Sequence, residues 1–281
     1  MNAVFAAVVL AVVAISSVAG LFNLARSDQA RSKYRQTVRA MRWWMIPAAL
    51  GQLSAVTIMY LAIVKLVPAL SFGWWRLVSG GPGNIMLGQT GQTGAAWRIA
   101  ALTLPIVLFA VVPLEAHREE EMFRSGAEKQ SIGKRLRTQM LFGVIHCAMG
   151  IPIAAGIALS ISGAYFLTVY LQAARHLRPE FAAAEEIPGP ERLPYPELPA
   201  LTAYDSEAFE AYDREWDRVR AENRRRLDQW LDDLPNQAAA SVERINRIRR
   251  RPVAKAAAAH AVSNWLVIAT VVIAVIVSSL A

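Results

Sequence analysis

Hydrophobic and charged positions alternate along this chain in long blocks. Residues 2–25 carry no charge, which is more than the roughly 20 apolar residues that cross a bilayer. They predict a first transmembrane helix. Arg26, Arg31, Lys33, Arg35, Arg39 and Arg42 follow it, and no basic residue precedes it. That order favours a retained anchor with its N-terminus outside, over a cleaved signal peptide. A second span is expected from Trp43 to Leu70, with Lys65 snorkelling at its far end. Residues 71–96 are Gly-rich, carry Arg76 as their one charge and hold the interfacial pair Trp74 and Trp75. They read as an external loop. A third span, Trp97 to Leu114, returns to the cytoplasm, where the charged stretch 115–137 begins.

The apolar stretch 138–174 would be roughly 55 Å long as a single helix, well beyond a bilayer core. Gly150-Ile151-Pro152 offers a break, so two helices are expected. The first is short or re-entrant and the second covers about 152–174. A Pro-rich stretch, 187–199, reads as an extended linker. In 205–234, Phe209, Tyr212, Trp216, Val219, Asn223, Leu227, Trp230 and Leu234 recur every three or four residues. This predicts an amphipathic helix. Its stripe is expected to pack against another part of the same chain, docking on the membrane domain through Trp216, Leu227 and Trp230, or, alternatively, to form a seam with a protein partner or a second copy. Pro235 is expected to end that helix. A second one, about 238–251, closes on Arg244, Arg247, Arg249, Arg250 and Arg251 before a final span, 256–281.

The fold class expected is therefore all-α: a polytopic transmembrane bundle of about five to six spans with a helical cytoplasmic insert before the last. Its regions are a transmembrane part (1–178), the linker and insert (179–254) and a closing span (255–281). Positive-inside logic puts 26–42, 115–137 and 175–255 in the cytoplasm and both termini outside. The expected location is the plasma membrane. The net charge of +8 does not signal nucleic acid, because the basic residues cluster beside apolar spans. There they fix topology and meet anionic membrane lipids. Cys147 is the one cysteine, which excludes an intramolecular disulfide.

Three short motifs put ionisable groups at the edges of apolar segments, where such groups are functional candidates by default. The first is Glu119-Glu120-x-x-x-Arg124. Residues four apart share a helix face, so Glu120 pairs with Arg124. Glu119, whose i+4 neighbour is Phe123, is the carboxylate left for general-base work. The second is Phe142-x-x-x-His146. The third is His260-x-x-x-Asn264, an imidazole and a carboxamide on one face, which suit an oxyanion. The bland readings are a solvated juxtamembrane helix for the first motif and helix–helix hydrogen bonds for the other two. Two His and a Glu could also hold zinc, but no H-E-x-x-H helix is present. A membrane scaffold whose insert binds a cytoplasmic partner is the alternative from another class. A transporter lacks the repeated halves it would need.

The ordered set E-E-x-x-x-R, F-x-x-x-H, H-x-x-x-N resembles the CAAX protease and bacteriocin-processing family of intramembrane glutamic endopeptidases, which includes the type II CAAX prenyl endopeptidases. The resemblance covers about residues 97–178 and 255–281. It implies that Glu119 and His146 activate water, that Glu120 and Arg124 orient the site, that His260 and Asn264 form the oxyanion hole and that Phe142 shapes the pocket. It implies no cofactor and no metal, and a membrane protein or lipidated peptide as substrate. Three features depart from the family pattern: Ser125 precedes Gly126 after the motif arginine, the 175–255 insert separates the last two motifs, and the span count is lower than in many members.

Overall fold

The computed structural model describes residues 2–81, 83–198 and 206–280. Residues 199–205, which hold the end of the Pro-rich stretch and the first position of the expected amphipathic helix, lie outside the described residues, as does 281. The regular structure among the described residues is helical, with no strand beyond an isolated bridge between Asn84 and Gln89. The helices are α1 (Asn2–Arg26), α2 (Asp28–Ala40), α3 (Met45–Leu66), α4 (Arg76–Ser79), α5 (Ala95–Arg124), α6 (Ile132–Ile145), α7 (Ile153–His176), α8 (Arg178–Glu185) and α9 (Ser206–Leu280). Five of them, α1, α3, α5, α7 and α9, are long and apolar enough to cross a membrane. Their outward faces carry large exposed apolar side chains such as Val12, Ile58, Ile106 and Ile273. A surface of that kind suits lipid rather than water. The chain divides into two compact units, Met1–His176 with Arg249–Ala281, and Leu177–Ile248.

In the larger unit, Ser27 caps α2 by accepting a hydrogen bond from the Ala30 amide. The basic run after α1 therefore starts a helix of its own. Thr37, buried on α2, hydrogen-bonds His117 Nδ1 of α5 at 3.0 Å, and Lys33 pairs with Glu121. The third apolar run does not stop at Leu114. α5 continues through Pro105 and Pro113 to Arg124, since Glu115–Arg118 and Glu120–Arg124 ion pairs sustain its last turns. The expected break in 138–174 is present. A 3-10 turn, His146–Met149, ends on Gly150 at φ +88°, a conformation that favours glycine. A Cβ there would also lie 2.8 Å from the Trp75 side chain. α6 and α7 approach closely through small residues, because a Cβ on Gly143 would meet Gly156 O at 2.3 Å. Met45, Phe123, Phe142, Phe166, Ala259 and Val262 form the adjoining core.

The smaller unit corrects the expectation at Pro235. No helix ends there, and the separate helix expected at 238–251 does not exist as such. α9 runs unbroken from Ser206 to Leu280. Proline removes one backbone donor, and the surrounding turn compensates, since Asn236 and Gln237 both donate to the Asp233 carboxylate. Three alanines, 238–240, then favour helix. Pro252 is carried by packing: it is buried together with Val253 and Ala254.

The amphipathic stripe packs on the chain's own Pro-rich stretch. Trp230 Nε1 donates to Pro188 O (2.8 Å) and Arg226 to Glu191 O (3.3 Å). Asn223 both accepts from Leu193 N (2.7 Å) and donates to Leu193 O (3.1 Å). Tyr195 stacks on Trp216 at 4.3 Å. The order is antiparallel and its arithmetic closes. Extended chain from 188 to 195 covers about 22 Å, and helix from 216 to 230 about 21 Å. Two helical residues therefore advance as far as one strap residue. α8 was not foreseen; its carbonyl at Ala184 accepts from Ser241 Oγ (2.5 Å) and Arg244 (3.5 Å).

Candidate active site

The site is assembled on Arg124, a fully buried guanidinium on the last turn of α5. Such a charge persists only when paired and hydrogen-bonded. Arg124 donates to Glu120 Oε1 at 3.0 Å and to Gly163 O at 3.3 Å, and lies 4.2 Å over the Phe142 ring. Glu120 is equally buried, and the same oxygen lies 2.9 Å from His260 Nδ1 of α9. This last tie was not anticipated: Glu120 orients the α9 imidazole as well as the α5 guanidinium. Phe166 of α7 fixes the plane of the His260 ring by stacking on it at 4.4 Å and 18°. Phe142 meets His146, His260 and Phe123 edge-on or tilted, with centroids 4.7, 5.7 and 5.3 Å away. It is the common wall between the motifs.

Both imidazoles have their tautomers assigned by their partners. His260 Nδ1 faces an ion-paired carboxylate and must donate to it. His146 Nδ1 lies 2.6 Å from the Phe142 carbonyl and must donate as well. In the neutral rings both Nε2 atoms are therefore acceptors. Glu119 is a third exposed, and its Oε2 stands 3.9 Å from His260 Nε2. Among the described residues, Glu119 Oε2 has no hydrogen-bond partner. The Asn264 carboxamide is partly buried.

Glu119, Phe142, His146, His260 and Asn264 all line one cavity of about 780 Å³. Glu120 and Arg124 stand behind its wall. The structure thus brings together every residue singled out from the sequence. Gln52 of α3 also lines the cavity and donates to Ser162 at 2.5 Å. Among the described residues, no three of His, Cys, Asp and Glu are grouped as metal ligands.

Several supporting residues escape a reading of the sequence. The turn after Arg124 is held by Glu128, whose carboxylate accepts from Tyr170 (2.7 Å) and Arg249 (2.9 Å). Tyr170 in turn accepts from the Gly126 amide at 3.1 Å, and Arg135 donates to Ala127 O and Glu128 O. In sequence, Glu128 belongs to a charge run and Arg249 to a topology signal. No spacing links 128, 170 and 249. The chain matches no protein-family model, no curated protein and no solved structure.

Proposed function

We propose that this protein is an intramembrane endopeptidase that hydrolyses a peptide bond near the cytoplasmic leaflet, as its three motifs' resemblance to the CAAX protease and bacteriocin-processing family implies. One observation carries the reading. Glu119, His146, His260 and Asn264 come from three separate chain segments and line one cavity, and the two imidazoles turn acceptor atoms outward from their tied Nδ1 sides. Polar groups that only join helices end in mutual hydrogen bonds. Among the described residues, Glu119 Oε2 makes no such bond, and the hydrogen bonds of the two imidazoles run through Nδ1, which suits groups that act on a third molecule.

In this reading, a water held between the Glu119 carboxylate and His146 Nε2 attacks the scissile carbonyl. Glu119 takes the proton, a role worth about 10²- to 10⁴-fold in rate. Asn264 donates to the oxyanion that develops. Removing a donor of that kind costs about 10²- to 10³-fold. Arg124 neutralises Glu120 and holds it in place, so Glu119 is the carboxylate left for chemistry. The substrate is a membrane protein or lipidated peptide, because the cavity walls are mostly apolar. Positive-inside logic sets the motif ends of α5 and α9 at the cytoplasmic face and the unit 177–248 in the cytoplasm; the plasma membrane is the proposed location.

The test is a comparison of the membrane proteomes of cells carrying the wild type or Glu119→Gln. The reading expects at least one cleavage product present with the wild type and absent with the variant. Identical product sets would overturn it.

A further inference from the structure

We infer that His260 is the acid that protonates the leaving amine, rather than a standing donor to the oxyanion. The inference rests on the hydrolase reading above and assigns one residue within it. Its ground is the proton inventory of the site. A neutral imidazole carries one N–H, and that of His260 is committed at Nδ1 to Glu120 Oε1, 2.9 Å away. The same oxygen is fixed by Arg124. The ring cannot turn to offer the other tautomer, because it is stacked on Phe166 and walled by Phe142. In the neutral ring, Nε2 therefore meets a ground-state carbonyl as a lone pair, which repels an oxyanion. Nε2 becomes a donor only after it has taken up a proton.

The source of that proton is next to it. Glu119 Oε2 lies 3.9 Å from His260 Nε2, a separation that a modest side-chain rotation closes; catalytic hydrogen bonds are often long before substrate binds. A carboxylate held on Nδ1–H is also the arrangement that lets an imidazole take a proton on Nε2 and pass it on. The steps balance. Water oxygen bonds to the scissile carbon and one water proton passes to Glu119. Glu119 hands that proton to His260 Nε2. The C–N bond breaks, its electron pair goes to nitrogen, and Nε2–H delivers the proton there. The products are a carboxylic acid and an amine, and Glu119 and His260 return to their starting states. Asn264 is left as the side-chain donor to the oxyanion, and His146, with its Nδ1 tied to Phe142 O, orients the water through Nε2.

Glu120 then has a role that its pairing with Arg124 alone does not suggest. It is a positioning residue for His260, linking the buried ion pair to the proton path.

The experiment uses two synthetic peptides spanning a cleavage site recovered in the proteome comparison. One keeps the scissile amide and the other carries a thioester there. A thiolate leaves without being protonated, so the thioester needs the base and the oxyanion donor but no acid. His260→Gln should lower amide cleavage about 10²- to 10⁴-fold and thioester cleavage less than about tenfold. Asn264→Ala should lower both alike, about 10²- to 10³-fold. Equal losses on both peptides in His260→Gln, with its melting temperature near the wild type's, would overturn the assignment. If that variant melts early, His260→Asn carries the same comparison. Failure of the underlying reading looks different: Glu119→Gln would then still cleave both peptides at wild-type rates.

Discussion

Two regions of this molecule hold polar side chains against helices, and they do so in opposite ways. In the unit 177–248, the ties between the Pro-rich strap and α9 are matched. Asn223 uses its oxygen and its nitrogen on the two backbone groups of Leu193, and Trp230 spends its one donor on Pro188. In the larger unit, Arg124, Glu120 and the two Nδ1 atoms are matched just as closely, yet that matching leaves Glu119 and the Nε2 atoms open beside a cavity. Saturated polar contacts specify structure. Contacts that saturate one side of a group and leave the other open specify a site.

The comparison breaks first where the larger unit has no slack. Arg124→Ala strands Glu120 in the core, and losing one member of a buried pair should cost about 3–5 kcal/mol. Thermal unfolding in detergent or nanodiscs checks this. A shift of under about 1 kcal/mol would mean that water reaches the pair. Asn264→Ala should instead leave the melting temperature within a few degrees while slowing cleavage about 10²- to 10³-fold. A variant that is equally active, or merely unstable, would return Asn264 to helix packing. Glu128→Gln weakens the clamp on the turn after Arg124 and should cost about 1–3 kcal/mol, with activity falling only as far as folded protein is lost. The smallest effect is expected in the strap. Asn223→Leu should cost about 1–2 kcal/mol, because it leaves two Leu193 backbone groups unmatched. It should also raise hydrogen exchange at Leu193 without changing the rate of cleavage. Unchanged exchange there would show that the strap is held by Tyr195 and Trp216 instead.

Some of this organisation is legible in the sequence and some is not, for physical reasons that differ by residue. The break at Gly150–Pro152 is local backbone chemistry, and it appears where the residues put it. Pro235 is local chemistry too, yet it misleads, because side chains at 233, 236 and 237 offset one missing donor. Asn223 reads as a polar position in a coiled-coil seam, since periodicity reveals a stripe but not what covers it. The Glu120–Arg124 pair follows from helix spacing alone. The Glu120–His260 tie does not, because it joins helices distant in sequence. With it goes the tautomer of His260, on which that residue's role turns. Motif resemblance names residues; the atom each one leaves open emerges only from the packed structure.

The decisive point is that Glu119, the carboxylate with no counter-charge four residues on along its own helix, is proposed as the base. It is tested most directly by measuring cleavage of one recovered substrate by purified wild type and Glu119→Gln, alongside their melting temperatures. The account predicts a fall of at least about 10²-fold with the melting temperature unchanged. Cleavage by Glu119→Gln at the wild-type rate would contradict it.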